Sequence, residues 1–215
     1  MLRAYGGAMA ARDAVAGVAT ALGVALLMLP PPPAGGVAIA SAREDSPTLA
    51  VGDSVMLGAQ PCLERRGFHV DAQGSRNVRA VPPELGRYRP LPDIVVVHAG
   101  TNGGAERWQF DAIMDTIGRK RQVVFVTVQL PDGTPRYTFE ASTNKAIRAL
   151  PRRYPNAHVA DWQALSDEHP RWLGGDGIHL TPDGCTGYAR MVADAERRVI
   201  ILTNPYVPMG PLARQ

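Results

Sequence analysis

The chain is poor in the residues that build metal centres and disulfide frameworks: its 215 residues include two cysteines, Cys62 and Cys185, and five histidines. Two distant cysteines do not make a zinc site and no His-Glu-x-x-His occurs, so no metal or organic cofactor is implied. Charge of one sign is not in excess either. The formal net charge is +3, and without residues 1–42, which hold two Arg and one Asp, 21 basic and 19 acidic residues remain. That balance excludes a nucleic-acid binder on electrostatic grounds. The basic clusters Arg119-Lys120-Arg121 and Arg152-Arg153 read instead as solvated helix ends, where cations suit the dipole. A phosphate-cradling loop is missing, because the glycines of 100–104 lack the Lys-Ser/Thr ending that an NTPase needs. No internal repeat is visible.

Long apolar runs are absent apart from one near the start. Arg3 and Arg12 precede an apolar stretch from Ala14 to Leu29, then prolines, then small residues ending Ala40-Ser41-Ala42. This layout predicts a secretory signal peptide over 1–42, with an uncleaved membrane anchor as the alternative; the run is short of the ~20 apolar residues of a typical span. The rest is globular in composition, 45% hydrophobic and 20% charged, with 22 Gly and 19 Pro for many turns. One domain over 43–203 is expected, followed by a Pro-rich tail over 204–215 that is too broken for regular structure. Export permits a disulfide, so Cys62 and Cys185 are either bonded to each other or two buried thiols.

Short β-branched runs alternate with longer helical patterns, which predicts a layered α/β domain with parallel strands. Strands are expected at 48–51, 68–72, 94–98, 123–127 and 157–160, and helices at 55–66, 106–119, 140–153 and 182–198. The run Ile94-Val95-Val96-Val97 has the near-continuous apolarity of a strand covered on both faces. Gln129 to Tyr137, with two Pro and a Gly, reads as a loop at a strand's carboxyl end, where ligand crevices form.

Three short motifs carry chemistry. Gly52-Asp53-Ser54 places a serine between a strand and a helix, where helix N–H groups favour a developing oxyanion. The plainer reading is that Ser54 caps the helix. Asp176-Gly177-Ile178-His179 supplies an imidazole and a carboxylate to orient it, which a serine nucleophile requires at neutral pH. Gly100-Thr101-Asn102-Gly103 follows a strand, and its Asn side chain can donate to an oxyanion, although Asn-Gly is also a common turn. No Gly-x-Ser-x-Gly surrounds Ser54, because Met56 stands where the second Gly would be.

In this order the motifs resemble those of the SGNH hydrolase superfamily, also called GDSL lipases and esterases, over about residues 48–198. The resemblance implies a three-layer α/β/α sandwich around a mostly parallel five-stranded sheet, of flavodoxin-like type. It implies Ser54 as nucleophile, His179 as general base and Asp176 as its partner, with the Ser54 N–H and the Asn102 side chain in the oxyanion hole. A further backbone donor falls in Gln73-Gly74-Ser75-Arg76: Gly74 by residue type, or Ser75 by alignment with the extracytoplasmic SGNH domains joined to peptidoglycan O-acetyltransferases. Gly103, where many members have Asp, is shared with that subgroup. Arg136 and Tyr137 lie where they could touch substrate.

The expected function is therefore an exported serine esterase, in the cell envelope or secreted, acting on short-chain, carbohydrate-linked acyl esters through an acyl-serine intermediate. The alternatives are an O-acyltransferase acting on envelope glycan with the same residues, and a non-catalytic glycan-binding module. No cofactor, metal or nucleic acid is called for, and a monomer is expected.

Overall fold

A computed structural model describes residues 47–204. The expected leader over 1–42 and the tail beyond Asn204 lie outside the described residues. Five strands, β1 (Leu49–Gly52), β2 (His69–Ala72), β3 (Ile94–His98), β4 (Gln122–Val126) and β5 (Ala157–Ala160), form one sheet in the order β2-β1-β3-β4-β5. Every pairing is parallel. Six helices accompany them: α1 (Ser54–Glu64), α2 (Val81–Leu85), α3 (Arg107–Ile117), α4 (Glu140–Arg148), α5 (Trp162–Glu168) and α6 (Pro182–Thr203).

The alternation of side chains along a strand sorts the core into two halves. Leu49, Val51, Val95, Val97, Val123 and Phe125 face α2, α3 and α4, meeting Val81, Phe110, Ile113 and Ile147. Ala50, Val96, Val124 and Val126 face the other way, toward Met56 of α1, Trp162 of α5 and Tyr188 of α6. The result is the expected three layers. Val95, Val96 and Val97 are 0%, 0% and 1% exposed, and burial on this scale stabilises by roughly 1.5–3 kcal/mol per large aliphatic side chain.

The sheet order also decides where a site can form. From β1 the chain passes to β2 on one side and returns to β3 on the other, so the loops after β1 and β3 diverge and open a crevice at the strands' carboxyl ends. Ser54 follows β1, and Asn102 lies four residues beyond the end of β3.

The structure departs from the sequence expectation in several boundaries. α4 stops at Arg148, and Pro151 then falls in a short 3₁₀ turn at Leu150–Arg152, since proline has no N–H with which to continue a helix. α6 runs on to Thr203. α2 and α5, five and seven residues long, were not expected; segments that short have too few turns to show a helical period. No described helix is long and apolar enough to cross a membrane.

Candidate active site

The hydroxyl of Ser54 sits at the first position of α1, and the cap is not Ser54 but Asp53. The fully buried Asp53 carboxylate accepts a hydrogen bond from the Val55 N–H at 3.0 Å, which leaves the serine side chain free for other work. Gly52 makes the sharp entry possible, since a Cβ there would stand 2.5 Å from that of Met56.

His179 and Asp176 do not follow a strand of the sheet. They sit in a loop after α5 that is closed by an antiparallel bridge between Leu173 and Leu180 and by the Gly174 N–H donating to the His179 carbonyl at 2.7 Å. Within it the Asp176 Oδ1 accepts from the N–H groups of Ile178 and His179, both at 3.0 Å. Gly177, at φ +70°, lets the chain turn there without strain. Thr181 then caps α6 by accepting from the Gly184 N–H at 3.2 Å, so the loop's exit is anchored as well.

These two segments meet. His179 Nδ1 lies 2.6 Å from Asp176 Oδ2, and His179 Nε2 lies 3.0 Å from Ser54 Oγ. With Nδ1–H donated to the carboxylate, Nε2 is left as an acceptor for the serine proton. The hydrogen bond from His179, reinforced by the two backbone N–H groups, holds the Asp176 carboxyl down at about 2. Asp176 therefore remains an anion wherever the imidazole titrates, and can stabilise the imidazolium formed when the serine gives up its proton.

The oxyanion candidates gather around Arg76, a residue to which its sequence context assigns no role. Its buried guanidinium donates to the Gly52 carbonyl at 3.2 Å, the Asp71 carbonyl at 2.6 Å and the Asp71 carboxylate at 2.7 Å. Burial by itself would raise the Asp71 carboxyl, but hydrogen bonds from Arg76 and Tyr88 outweigh it and leave it below its ordinary value. Arg76 thus ties the turn after β2 to the residue that precedes Asp53-Ser54. In that turn the Arg76 N–H donates to the Gln73 carbonyl at 3.3 Å. Ser75 takes a left-handed φ of 60°, the one positive φ among described residues other than glycine. The N–H groups of Gly74 and Ser75 have no hydrogen-bond partner among the described residues, so both remain as donors. The Asn102 amide donates to the Arg76 carbonyl at 3.2 Å, which leaves its second hydrogen for an oxyanion.

Beneath the site lies a buried polar cluster. His98, at the end of β3, shares a 2.7 Å hydrogen bond with the Tyr188 hydroxyl. Burial lowers the His98 imidazole against the pull of Asp53, and burial together with that carboxylate raises the Tyr188 phenol well above its ordinary value. Both are held neutral. Tyr137 lines a cleft of about 610 Å³ formed with Leu130, Pro131 and Thr138, and Arg136 is exposed with its guanidinium 5.8 Å from the Tyr137 ring centre. Pro131 of that loop abuts Gly177 of the histidine turn. Cys62 of α1 and Cys185 of α6 are joined by a disulfide, linking the helix that starts at Ser54 to the one that starts three residues after His179. Among the described residues no cluster of side chains is suited to a metal ion.

Fold, motif order and site geometry together are similar to those of SGNH/GDSL hydrolases, within a three-layer α/β architecture. No family model matches the chain. Its relatives include O-acetyltransferases: it is 29% identical over 150 residues to the peptidoglycan O-acetyltransferase OatA of Listeria monocytogenes, covering 67% of this chain and 23% of that protein. It is 30% identical over 150 residues to the O-acetyltransferase OatA of Staphylococcus aureus, covering 66% and 24%. The chain thus spans about a quarter of the length of these relatives. Among solved structures, the C-terminal catalytic domain of Streptococcus pneumoniae OatA superposes with a TM-score of 0.64 at 26% identity, covering 71% of this chain and 93% of that one. A GDSL-like lipase of Bacteroides thetaiotaomicron shares the fold at TM-score 0.57 and 15% identity, covering 70% and 87%.

Proposed function

We propose that the protein is an extracytoplasmic O-acyltransferase that forms an acyl-Ser54 intermediate and passes the acyl group to a sugar hydroxyl of an envelope glycan. The observation that carries this reading is the unbroken series from Ser54 through His179 to Asp176, at 3.0 and 2.6 Å. Ser54 Oγ attacks the carbonyl carbon of an acyl donor while His179 Nε2 takes its proton. The negative charge on the carbonyl oxygen is met by the Ser54 N–H, the Asn102 amide and a donor from Gly74 or Ser75. The tetrahedral intermediate collapses, the leaving alcohol receives the proton from His179, and acyl-Ser54 remains. An acceptor hydroxyl then gives its proton to His179 and attacks the acyl carbon; the second tetrahedral intermediate expels Ser54 Oγ, which takes the proton back from His179.

The transferase reading is placed ahead of plain hydrolysis because the sequence relatives bear O-acetyltransferase names. Their acetyl chemistry also points to a short acyl group. An oxidising location agrees with the disulfide between Cys62 and Cys185. Hydrolysis is a second reading with its own support: the His179 and Asp176 side chains are 53% and 50% exposed, so water can reach the acyl-enzyme.

The test is to incubate the purified protein with p-nitrophenyl acetate, with and without chitotetraose, beside a Ser54→Ala control. Nitrophenol release that the control lacks, with acetylated sugar seen by mass spectrometry, is expected. Release without any acetylated sugar, across a range of glycan acceptors, assigns the site to hydrolysis. Equal release from both proteins removes the enzyme reading altogether.

A further inference from the structure

A site this open to water can transfer an acyl group efficiently only if the acceptor is held beside it at high effective concentration. The structure contains a second cleft that starts at an oxyanion candidate. It has a volume of about 260 Å³, and its wall includes Asn77, Arg79, Asn102, Glu106 and Gln109. Val78 and Ala105 supply the only aliphatic side chains among its lining residues. A long acyl chain would find little apolar surface there, whereas a polyol would find donors and acceptors at several positions.

Against two of the cleft's lining residues, Arg79 and Glu106, stands Trp108, in the first turn of α3 and 54% exposed. The buried face of that helix is supplied by Phe110, Ile113, Met114 and Ile117, so the indole is not needed for packing and is free to meet a ligand. Its orientation is set. The indole N–H donates to the Glu106 carboxylate at 3.2 Å, and Glu106 is itself held by a capping box in which its backbone N–H donates to the Gln109 side chain at 2.8 Å. The Arg79 guanidinium lies 5.6 Å from the ring centre. Arg79 makes no ion pair among the described residues, and its N–H groups are available to hydroxyl or carbonyl oxygens.

We propose that this cleft is the acceptor subsite, taking one pyranose ring of a glycan with its apolar C–H face on Trp108 and its hydroxyls toward Arg79, Glu106 and Gln109. This would place a neighbouring sugar hydroxyl near Asn102 and the acyl-serine. The proposal rests on the transferase reading for its purpose, but the binding it describes does not require turnover.

Binding of chitotetraose to the catalytically dead Ser54→Ala protein, measured by calorimetry and by chemical-shift changes, separates the two questions. Saturable binding is expected, weakened about 10-fold or more by adding Trp108→Ala and partly restored by Trp108→Phe, as an anchoring aromatic requires. Arg79→Ala should weaken it independently. In the active protein Trp108→Ala should raise the KM for the acceptor and shift products from acetylated sugar toward free acetate. Glycan binding left unchanged by both Trp108→Ala and Arg79→Ala, or no binding at all, overturns the subsite. Binding that behaves as expected while no acetylated sugar forms overturns the transferase reading and leaves the subsite standing.

Discussion

Replacing Arg76 by alanine tests whether a buried cation, rather than the motifs themselves, holds the oxyanion donors in place. Its side chain is 5% exposed and its partner Asp71 is 17% exposed, so the pair is shielded from the screening that makes surface ion pairs nearly worthless. Removing one member of a buried pair commonly costs about 3–5 kcal/mol. Tyr88 still donates to Asp71 at 2.8 Å, which favours the lower end, about 3 kcal/mol. For a domain of this size that is a fall in melting temperature of about 6–12 °C. The sign with pH follows from Asp71, whose carboxyl lies below its ordinary value in the folded protein. Its contribution is present above the unfolded value and is lost as pH falls through the folded one. Without Arg76 the burial that raises Asp71 is unopposed by the guanidinium, so the gap between wild type and variant should narrow below about pH 4. Activity should suffer more than stability alone explains. Outright loss of one oxyanion donor costs about 10²–10³ in kcat, and a donor displaced rather than deleted should cost about 10- to 100-fold. Urea titrations at pH 7 and pH 3, with kcat and KM for p-nitrophenyl acetate at pH 7, measure both effects, and Arg76→Lys should fall between. A variant destabilised as described whose kcat stays within twofold of wild type would refute the positioning role.

Asn102→Ala should lower kcat by about 10²-fold, equivalent to ~3 kcal/mol of transition-state stabilisation, with little change in melting temperature because the residue is half-exposed. Asp176→Asn should reduce kcat by about 10³-fold or more while leaving the fold intact, because the amide no longer stabilises the imidazolium; circular dichroism and single-turnover acylation report the two. Asp176 is held at about 2, so its charge, fully present above the ordinary carboxylate value, is lost only as pH falls toward 2. The Asp176 carboxylate should therefore stay charged throughout about pH 4–8, and carboxyl carbon NMR showing residue 176 taking up a proton within that range would contradict the assignment. Breaking the disulfide with paired Cys62→Ser and Cys185→Ser substitutions removes a link across 123 residues, for which chain entropy gives about 5 kcal/mol at most and experience about 2–4. Melting with and without reductant should show that loss in wild type and no response to reductant in the double variant. An intact mass showing two free thiols in exported protein would refute the link.

Much of this protein is written locally. The strands at 94–98 and 157–160 and the start of α6 are legible because an apolar run, a Thr cap and a following proline each act over a few residues. Gly-Asp-Ser and Asp-Gly-Ile-His are equally compact, since a strand-to-helix turn needs a glycine and a cap, and a carboxylate three residues before an imidazole can reach it within one turn. A sequence shows such features because their physics is short-ranged. Which serine meets which histidine is another matter, as Ser54 and His179 are brought together only by the β2-β1-β3 switch and the packing of α1 against α6. The role of Arg76 is not legible locally because its partners, Gly52 and Asp71, lie 24 and 5 residues away, and an arginine in a turn looks like any solvated cation until its burial is known. The same holds for Trp108, whose place beside a cleft comes from its contacts with Arg79 and Glu106, two of that cleft's lining residues. The sequence by itself determined the five strands, the longer helices to within their ends and the reactive residue types, because propensity, capping and turn chemistry are local. Only the tertiary structure decided their neighbours, because burial, desolvation and the meeting of distant loops are properties of the packed chain.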